Sequence, residues 1–197
     1  MILMSVRPNA PYDDRLEAGG SILVYEGHDE PRTRDAPDPK AFDQRERTQS
    51  GSLTQNGQFH QAAQQTKHGN RPPERVRVYE KLREGIWSNN GIFHLVDSWR
   101  ERSGNRQVFK FKLVAVEGEE DLSRPVPATP IRRRVIPTAV KVEVWQRDGG
   151  KCVVCGATDE LHFDHIVPFS RGGTSVVAEN VQLLCARHNV EKRDDIV

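Results

Sequence analysis

The sequence predicts an α+β protein in two parts, a mostly β N-terminal portion and a small metal-centred C-terminal module. Three observations carry this. All three cysteines fall in one late window, as Cys152-x-x-Cys155 and Cys185-x-x-His188. Strand-like alternation of apolar and polar residues crowds between residues 74 and 113. A charged, proline-bearing stretch at 118–137 separates the two regions. The expected division is therefore residues 1–117, a linker at 118–137 and a module at 138–197.

Residues 1–20 are rich in turn formers, with Asn9-Ala10-Pro11-Tyr12-Asp13-Asp14 followed by Ala18-Gly19-Gly20. SILVYE at 21–26 is β-branched and aromatic and meets Gly27, which predicts a strand. Residues 29–43 carry Pro31, Pro37 and Pro39 among charges and predict a loop. The Gln-rich stretch 48–70 offers one or two helical turns at 59–63. ERVRVYEK at 74–81 alternates cleanly, as does QVFKFKL at 107–113. Between them, Asn89-Asn90-Gly91 reads as a hairpin turn flanked by strand signals at 85–87 and 92–99. Residues 138–147 have helical apolar spacing, with Thr138 as the expected N-cap.

Two knuckles whose near ends, Cys155 and Cys185, are thirty residues apart suit one tetrahedral Zn²⁺. Three thiolates and an imidazole close the coordination shell without water, so the site is structural. A Cys-x-x-Cys redox pair would need a βαβ setting and no second pair, and neither condition holds. Inside this frame, LHFDHIVP at 161–168 predicts a strand ended by proline, residues 171–174 a loop, and residues 179–184 the start of a helix or turn.

The net charge of +1 does not by itself announce a nucleic-acid binder, and it is unevenly spread. Up to Ile136 there are 22 Lys and Arg against 19 Asp and Glu; from Pro137 onward, 7 against 9. Basic contact with a polyanion must come from local patches, of which Arg132-Arg133-Arg134 is the densest, or from the N-terminal part. No apolar run approaches the roughly 20 residues of a membrane span. The apolar start Met1-Ile2-Leu3-Met4 is too short for a secretory signal. With its cysteines committed to metal, the chain is expected in the cytoplasm.

The C-terminal window resembles the HNH endonucleases, whose ββα-metal motif is a hairpin and a helix around one divalent ion. The matching residues are Asp164-His165, the Gly172-Gly173 loop, Asn180, and Leu184-Cys185-Ala186-Arg187-His188-Asn189 with Lys192. The resemblance implies that His165 is the general base that activates water against a phosphodiester, a role that suits an imidazole titrating near neutrality. It makes Asp164 and Asn189 the ligands of Mg²⁺ or Mn²⁺. Asn180 orients His165 or the loop carrying it. Cys152, Cys155, Cys185 and His188 hold the structural Zn²⁺. In a second register His188 would bind the catalytic ion, leaving three thiolates without a fourth partner.

The N-terminal part resembles the later portion of an SRA (YDG) domain, a PUA-like barrel. The residues that carry the likeness are Tyr12-Asp13-Asp14, Val24-Tyr25-Glu26-Gly27, Asp43-Gln44, Thr54-Gln55-Asn56-Gly57, Val76-Arg77-Val78-Tyr79 and the strand at 108–113. That family flips 5-methylcytosine or 5-hydroxymethylcytosine out of DNA. The resemblance makes Tyr12 and Tyr25 the pair that sandwiches the base and Asp14, or its neighbour Asp13, the reader of its Watson–Crick edge.

Together these imply a modification-dependent DNA endonuclease, in which a single HNH site would cut one strand and a double-strand break would need a homodimer or two successive nicks. Two other readings stay open: an HNH nuclease whose β part binds unmodified DNA or a protein, and a non-catalytic zinc-containing DNA-binding protein. Trp87 and Trp99 are expected to pack in or at the rim of the β part. His28, His60, His68 and His94 lack metal-like spacing and receive no role.

Overall fold

The structure is a computed structural model that describes residues 1–32, 34, 38–116, 135–193 and 195–196. Most of the expected linker, with the Arg132-Arg133-Arg134 run, lies outside the described residues. The elements are, in chain order, β1 (Ile2–Met4), β2 (Arg15–Glu17), β3 (Ile22–Glu26), α1 (Gln55–Lys67), β4 (Glu74–Arg83), β5 (Ile86–Ser103) and β6 (Arg106–Ala115). They continue with α2 (Thr138–Arg147), β7 (Leu161–His165), β8 (Val181–Cys185) and α3 (Ala186–Lys192). Short 3₁₀ turns join several of them.

The first six strands form one sheet in the order β1-β4-β5-β6-β3-β2. Only β1 runs parallel to its neighbour. Alternation aims Val76, Val78, Phe93, Leu95, Phe109, Phe111, Leu113, Leu23 and Tyr25 into one core. The strands β1 and β2, absent from the sequence reading, are too short to show a period. Each is held by its pairing partner rather than by its own propensity. They form the two sheet edges, and Asp14 ties them together across the open side. Its Oδ2 accepts from the Ser5 amide just after β1, and its Oδ1 from the Glu26 amide at the end of β3, at 3.0 Å each.

Helix α1 is far longer than the expected turn or two. Thr54 caps it by accepting from Gly57 N at 3.0 Å, and Ala62 and Ala63 bury against the sheet with Phe59 edge-on to Phe111. Tertiary packing, which a Gln-rich sequence does not advertise, stabilises the helix.

The Asn89-Asn90-Gly91 hairpin is also corrected. The reversal occurs between Arg83 and Ile86, and Asn89 to Gly91 lie within the eighteen-residue β5. The register passes from Arg77↔Ile92 to Tyr79↔Asn89, so β5 carries an extra residue there, a bulge with Gly91 at φ 87°. The long pairing with β4 overrides the local turn signal.

The C-terminal region has its own core of Ile136, Val140, Val144, Ala178, Val181 and Leu183. Helix α2 matches its predicted span, but Pro137 rather than Thr138 occupies the N-cap, and the Thr138 hydroxyl is donated elsewhere. Residues 181–185, expected to be helix or turn, form β8 and pair antiparallel with β7, His165 opposite Val181 and Leu161 opposite Cys185. The period-2 burial of Val181 and Leu183 against α2 selects the strand.

Candidate functional site

The β7–β8 hairpin and α3 bring the candidate catalytic residues together. Asp164 and His165 end β7, and α3 leaves β8 directly at Cys185. Lys192, buried near the end of α3, donates to the His165 carbonyl at 2.8 Å and lies 3.0 Å from Asp164 Oδ2. That contact is an ion pair off the hydrogen-bonding direction, and Asp164 Oδ2 is buried without a hydrogen-bond partner. Asn189 stands one turn before Lys192 on the same side of α3.

The imidazole of His165 is held by Ser175, with Nε2 2.8 Å from the buried serine hydroxyl, and Phe169 packs at 6.1 Å between ring centroids. Asn180 secures the loop that follows His165. Its Oδ1 accepts from Val167 N at 2.8 Å, and its Nδ2 donates to the carbonyls of Val167 and Thr174 at 3.1 and 2.9 Å. These bonds tie Asn180 to the loop that carries on from His165. Gly173 permits this closure: a Cβ there would meet the Val167 carbonyl oxygen at 1.8 Å. His162, two residues before Asp164 on the same face of β7, is exposed.

Cys152, Cys155, Cys185 and His188 converge, their ligand atoms all within 4.8 Å of one another. The Cys155–Cys185 sulfur separation is 3.9 Å, and His188 Nδ1 lies 3.4 and 3.3 Å from the sulfurs of Cys152 and Cys185. A tetrahedron with metal–sulfur bonds of about 2.3 Å and a metal–nitrogen bond near 2.0 Å has edges of about 3.8 and 3.5 Å. The cluster thus fits one tetrahedral ion. Burial pushes the Cys152 thiol up, but backbone N–H donors around Cys185, Cys155 and Val154 outweigh it and bring the thiol down to about 6. The environment favours a thiolate ligand. His188 Nδ1 lies among the sulfurs, the arrangement that the first register requires.

A separate cavity of about 400 Å³ opens on the N-terminal part, with Tyr12, Asp13, Asp14, Glu26, Lys40 and Arg106 among its lining residues. Its floor is ionic. Buried Glu26 receives Lys110 Nζ at 2.9 Å and Arg106 Nη2 at 3.4 Å, and Lys110 also reaches Asp13 Oδ2 at 3.0 Å. The Lys110 hydrogen bond holds the Asp13 carboxyl below its ordinary value, whereas burial pushes Asp14 up to about 6. Lys40 covers the Tyr12 ring at 4.9 Å.

Tyr25 is elsewhere. It is buried in the sheet core and does not line this cavity. Between the two tyrosines sits His28, with its Nε2 3.0 Å from Tyr25 Oη and its ring edge-on to both. No spacing rule could have singled out His28 or Ser175, since each acts through tertiary proximity. Lys110 and Arg106 were hidden by strand alternation that reads as surface charge.

Residues 152–195 match the HNH endonuclease family model. No curated protein matches the chain. Among solved structures, the SRA domain of SUVH5 in complex with fully methylated CG DNA is similar at 22% identity, covering 59% of this chain and 63% of that one, with a TM-score of 0.39. The modification-dependent restriction endonuclease TagI is similar at 18% identity over 96% of this chain and 65% of that one, TM-score 0.36. The type IV phosphorothioation-dependent restriction endonuclease ScoMcrA is similar at 15% identity over 97% and 49%, TM-score 0.38. The chain thus spans less than two thirds of each of these three. No helix among the described residues is long and apolar enough to cross a membrane.

Proposed function

We propose that this protein is a modification-dependent DNA endonuclease whose C-terminal module hydrolyses a phosphodiester and whose N-terminal part reads a modified cytosine, such as 5-methyl- or 5-hydroxymethylcytosine. The observation that carries the nuclease is the buried Asp164 oxygen without a hydrogen bond, beside His165 and facing the helix that bears Asn189. A buried carboxylate oxygen left unsatisfied fits a ligand for a hard cation. Asp164 and the amide oxygen of Asn189 would hold Mg²⁺ or Mn²⁺. Such an ion supplies charge stabilisation to the phosphoryl oxygens and the leaving 3′ oxygen.

The chain's own residues supply the rest. His165 takes the proton of the attacking water, and Ser175 fixes its ring so that the accepting nitrogen keeps its place. Asn180 and Gly173 hold the 167–174 loop against β7, which keeps the base from drifting by the fraction of an ångström that matters. Cys152, Cys155, Cys185 and His188 would bind Zn²⁺ and pin α3 to the hairpin.

For the reader, Tyr12 offers an aromatic wall and Asp14 an edge-reading carboxylate. Two of the roughly four lone-pair sites of Asp14 are taken by backbone amides, which leaves it acceptor capacity in a fixed orientation. The cavity falls in the size range of small-ligand sites, roughly 300–1,000 Å³. Burial of Tyr25 favours a second reading, in which the pocket has one aromatic wall and the β part binds DNA without requiring the modification.

The test is cleavage of matched plasmids, with and without 5-methylcytosine or 5-hydroxymethylcytosine, by the protein and by His165→Ala, in Mg²⁺ or Mn²⁺. Cutting confined to modified DNA and abolished in the variant is expected. Equal cutting of all plasmids selects the second reading. Absence of cutting by folded, metal-loaded protein overturns the nuclease.

A further inference from the structure

A buried, hydrogen-bonded ion pair joins the two halves of the molecule. Glu80 on β4 is 0% exposed and Lys141 on α2 is 3% exposed, with Lys141 Nζ 2.9 Å from Glu80 Oε2. Both members have further partners besides each other. Glu80 Oε1 accepts from the Thr138 hydroxyl, Glu80 Oε2 from Asn90 Nδ2 at 3.0 Å, and Lys141 donates to Asn90 Oδ1 at 2.6 Å. Two of these residues come from the sheet and two from the helix of the nuclease module.

The chain entering α2 is fixed in the same way. Val135 packs against the sheet core, close enough that a Cβ on Gly20 would lie 3.3 Å from its Cγ1. Its neighbour Ile136 is buried in the other core. Adjacent residues thus serve two cores, which leaves no slack between them. Helix α2 then carries the contact onward through Val144, which shares a core with Val181 and Leu183 of β8. The path from the sheet to the β7–β8 hairpin is packed throughout. Residues 135–141 are thus held by both cores and by the ion pair.

We infer that the sheet and the nuclease module form one rigid body, and that Glu80 and Lys141 are positioning residues that set a constant offset between the base pocket and the cleavage site. A buried charge left without its partner is strongly unfavourable, whereas an apolar pair of similar volume is tolerated. The joint therefore opens when one member is replaced and stays closed when both are. The offset on DNA rests on the function proposed above; the rigidity of the joint does not.

The experiment compares the full chain with Glu80→Gln, Lys141→Met, the double variant Glu80→Met/Lys141→Met, and Thr138→Val, which removes one hydrogen bond without stranding a charge. Small-angle X-ray scattering without DNA is expected to show one compact form for the parent and the double variant. An expanded distribution is expected for each single charge variant, and a smaller expansion for Thr138→Val. Zinc content and far-UV dichroism confirm that each module is folded, and Thr138→Val decides the matter if a charge variant is not. On a duplex with a single 5-methylcytosine, the parent and the double variant cut at one preferred distance. The single variants retain cutting but lose that preference. A parent that already scatters as separated modules, or single variants that leave both scattering and cut positions unchanged, overturns the inference. If cutting ignores the modification, the reader has failed, and the scattering still decides the joint.

Discussion

Lys192 Nζ lies 3.0 Å from the Asp164 carboxylate but donates its hydrogen bond to the His165 carbonyl. The ammonium therefore balances charge without satisfying the oxygen, and a divalent ion has something to gain there. Lys192→Met leaves Asp164 buried and unpaired. The variant should melt lower than the parent without divalent ions, and Mn²⁺ should raise its melting temperature more than the parent's, because a ligand that binds only the folded state stabilises it. Equal Mn²⁺ shifts in the two proteins would remove Asp164 from the metal site.

The thiolate cluster makes a different demand. Cys185 ends β8 and precedes the first residue of α3, so its loss frees both elements at once. Cys185→Ser should reduce bound zinc from one ion per chain to a substoichiometric level and lower the thermal midpoint. Chelation of the parent should reproduce the effect. Zinc counting by atomic emission alongside calorimetry checks this.

On the proposed mechanism, His165→Ala should lower cleavage by about 10²–10⁴-fold while leaving the fold intact. Ser175→Ala should fall between the two, since it removes the fixing of the ring and not the ring itself. Single-turnover cleavage of a modified duplex measures both. A Ser175 variant as inactive as His165→Ala would give the hydroxyl a larger part than orientation.

Asn180 provides a stability test. Three hydrogen bonds hang on its side chain, each worth about 1 kcal/mol net. Asn180→Ala should cost about 2–3 kcal/mol in urea unfolding. Gly173→Ala should cost at least as much, because the Val167 carbonyl occupies the space of the new methyl. A near-neutral Gly173→Ala would show that the loop is not closed in solution.

Asp14 sets a pH dependence whose sign follows from burial. Its carboxyl is pushed up to about 6 from 3.8, so between those values the folded protein keeps a proton that the unfolded chain has released. Folding is thus favoured by this group at low pH, and the contribution is lost as pH rises through about 6. The gap corresponds to about 3 kcal/mol. The unfolding free energy of the parent minus that of Asp14→Asn should fall by about that amount between roughly pH 4 and pH 6.5. A flat difference would mean that Asp14 is solvated.

The strands that announce themselves at 21–26, 74–81 and 107–113 are those whose alternation has a buried face to match. The metal cluster was legible because ligand spacing is dictated by one ion and two short knuckles. What escaped was structure stabilised from outside the segment. β1 and β2 exist through their neighbours, α1 through two alanines on the sheet, and β8 through α2. Tyr25 shows the same limit at the site: its strand was foreseen, but the side of the sheet it faces depends on register, and that register buries it.

The bulge in β5 can be weighed as an attachment device. One extra residue in a strand disturbs the ladder locally, and the pairing on either side of Asn90 and Gly91 resumes in order. The residue at this bulge, Asn90, accepts from Lys141 through its amide oxygen. Shortening the strand by that residue would remove the acceptor that Lys141 uses while leaving the rest of the β4–β5 pairing in place.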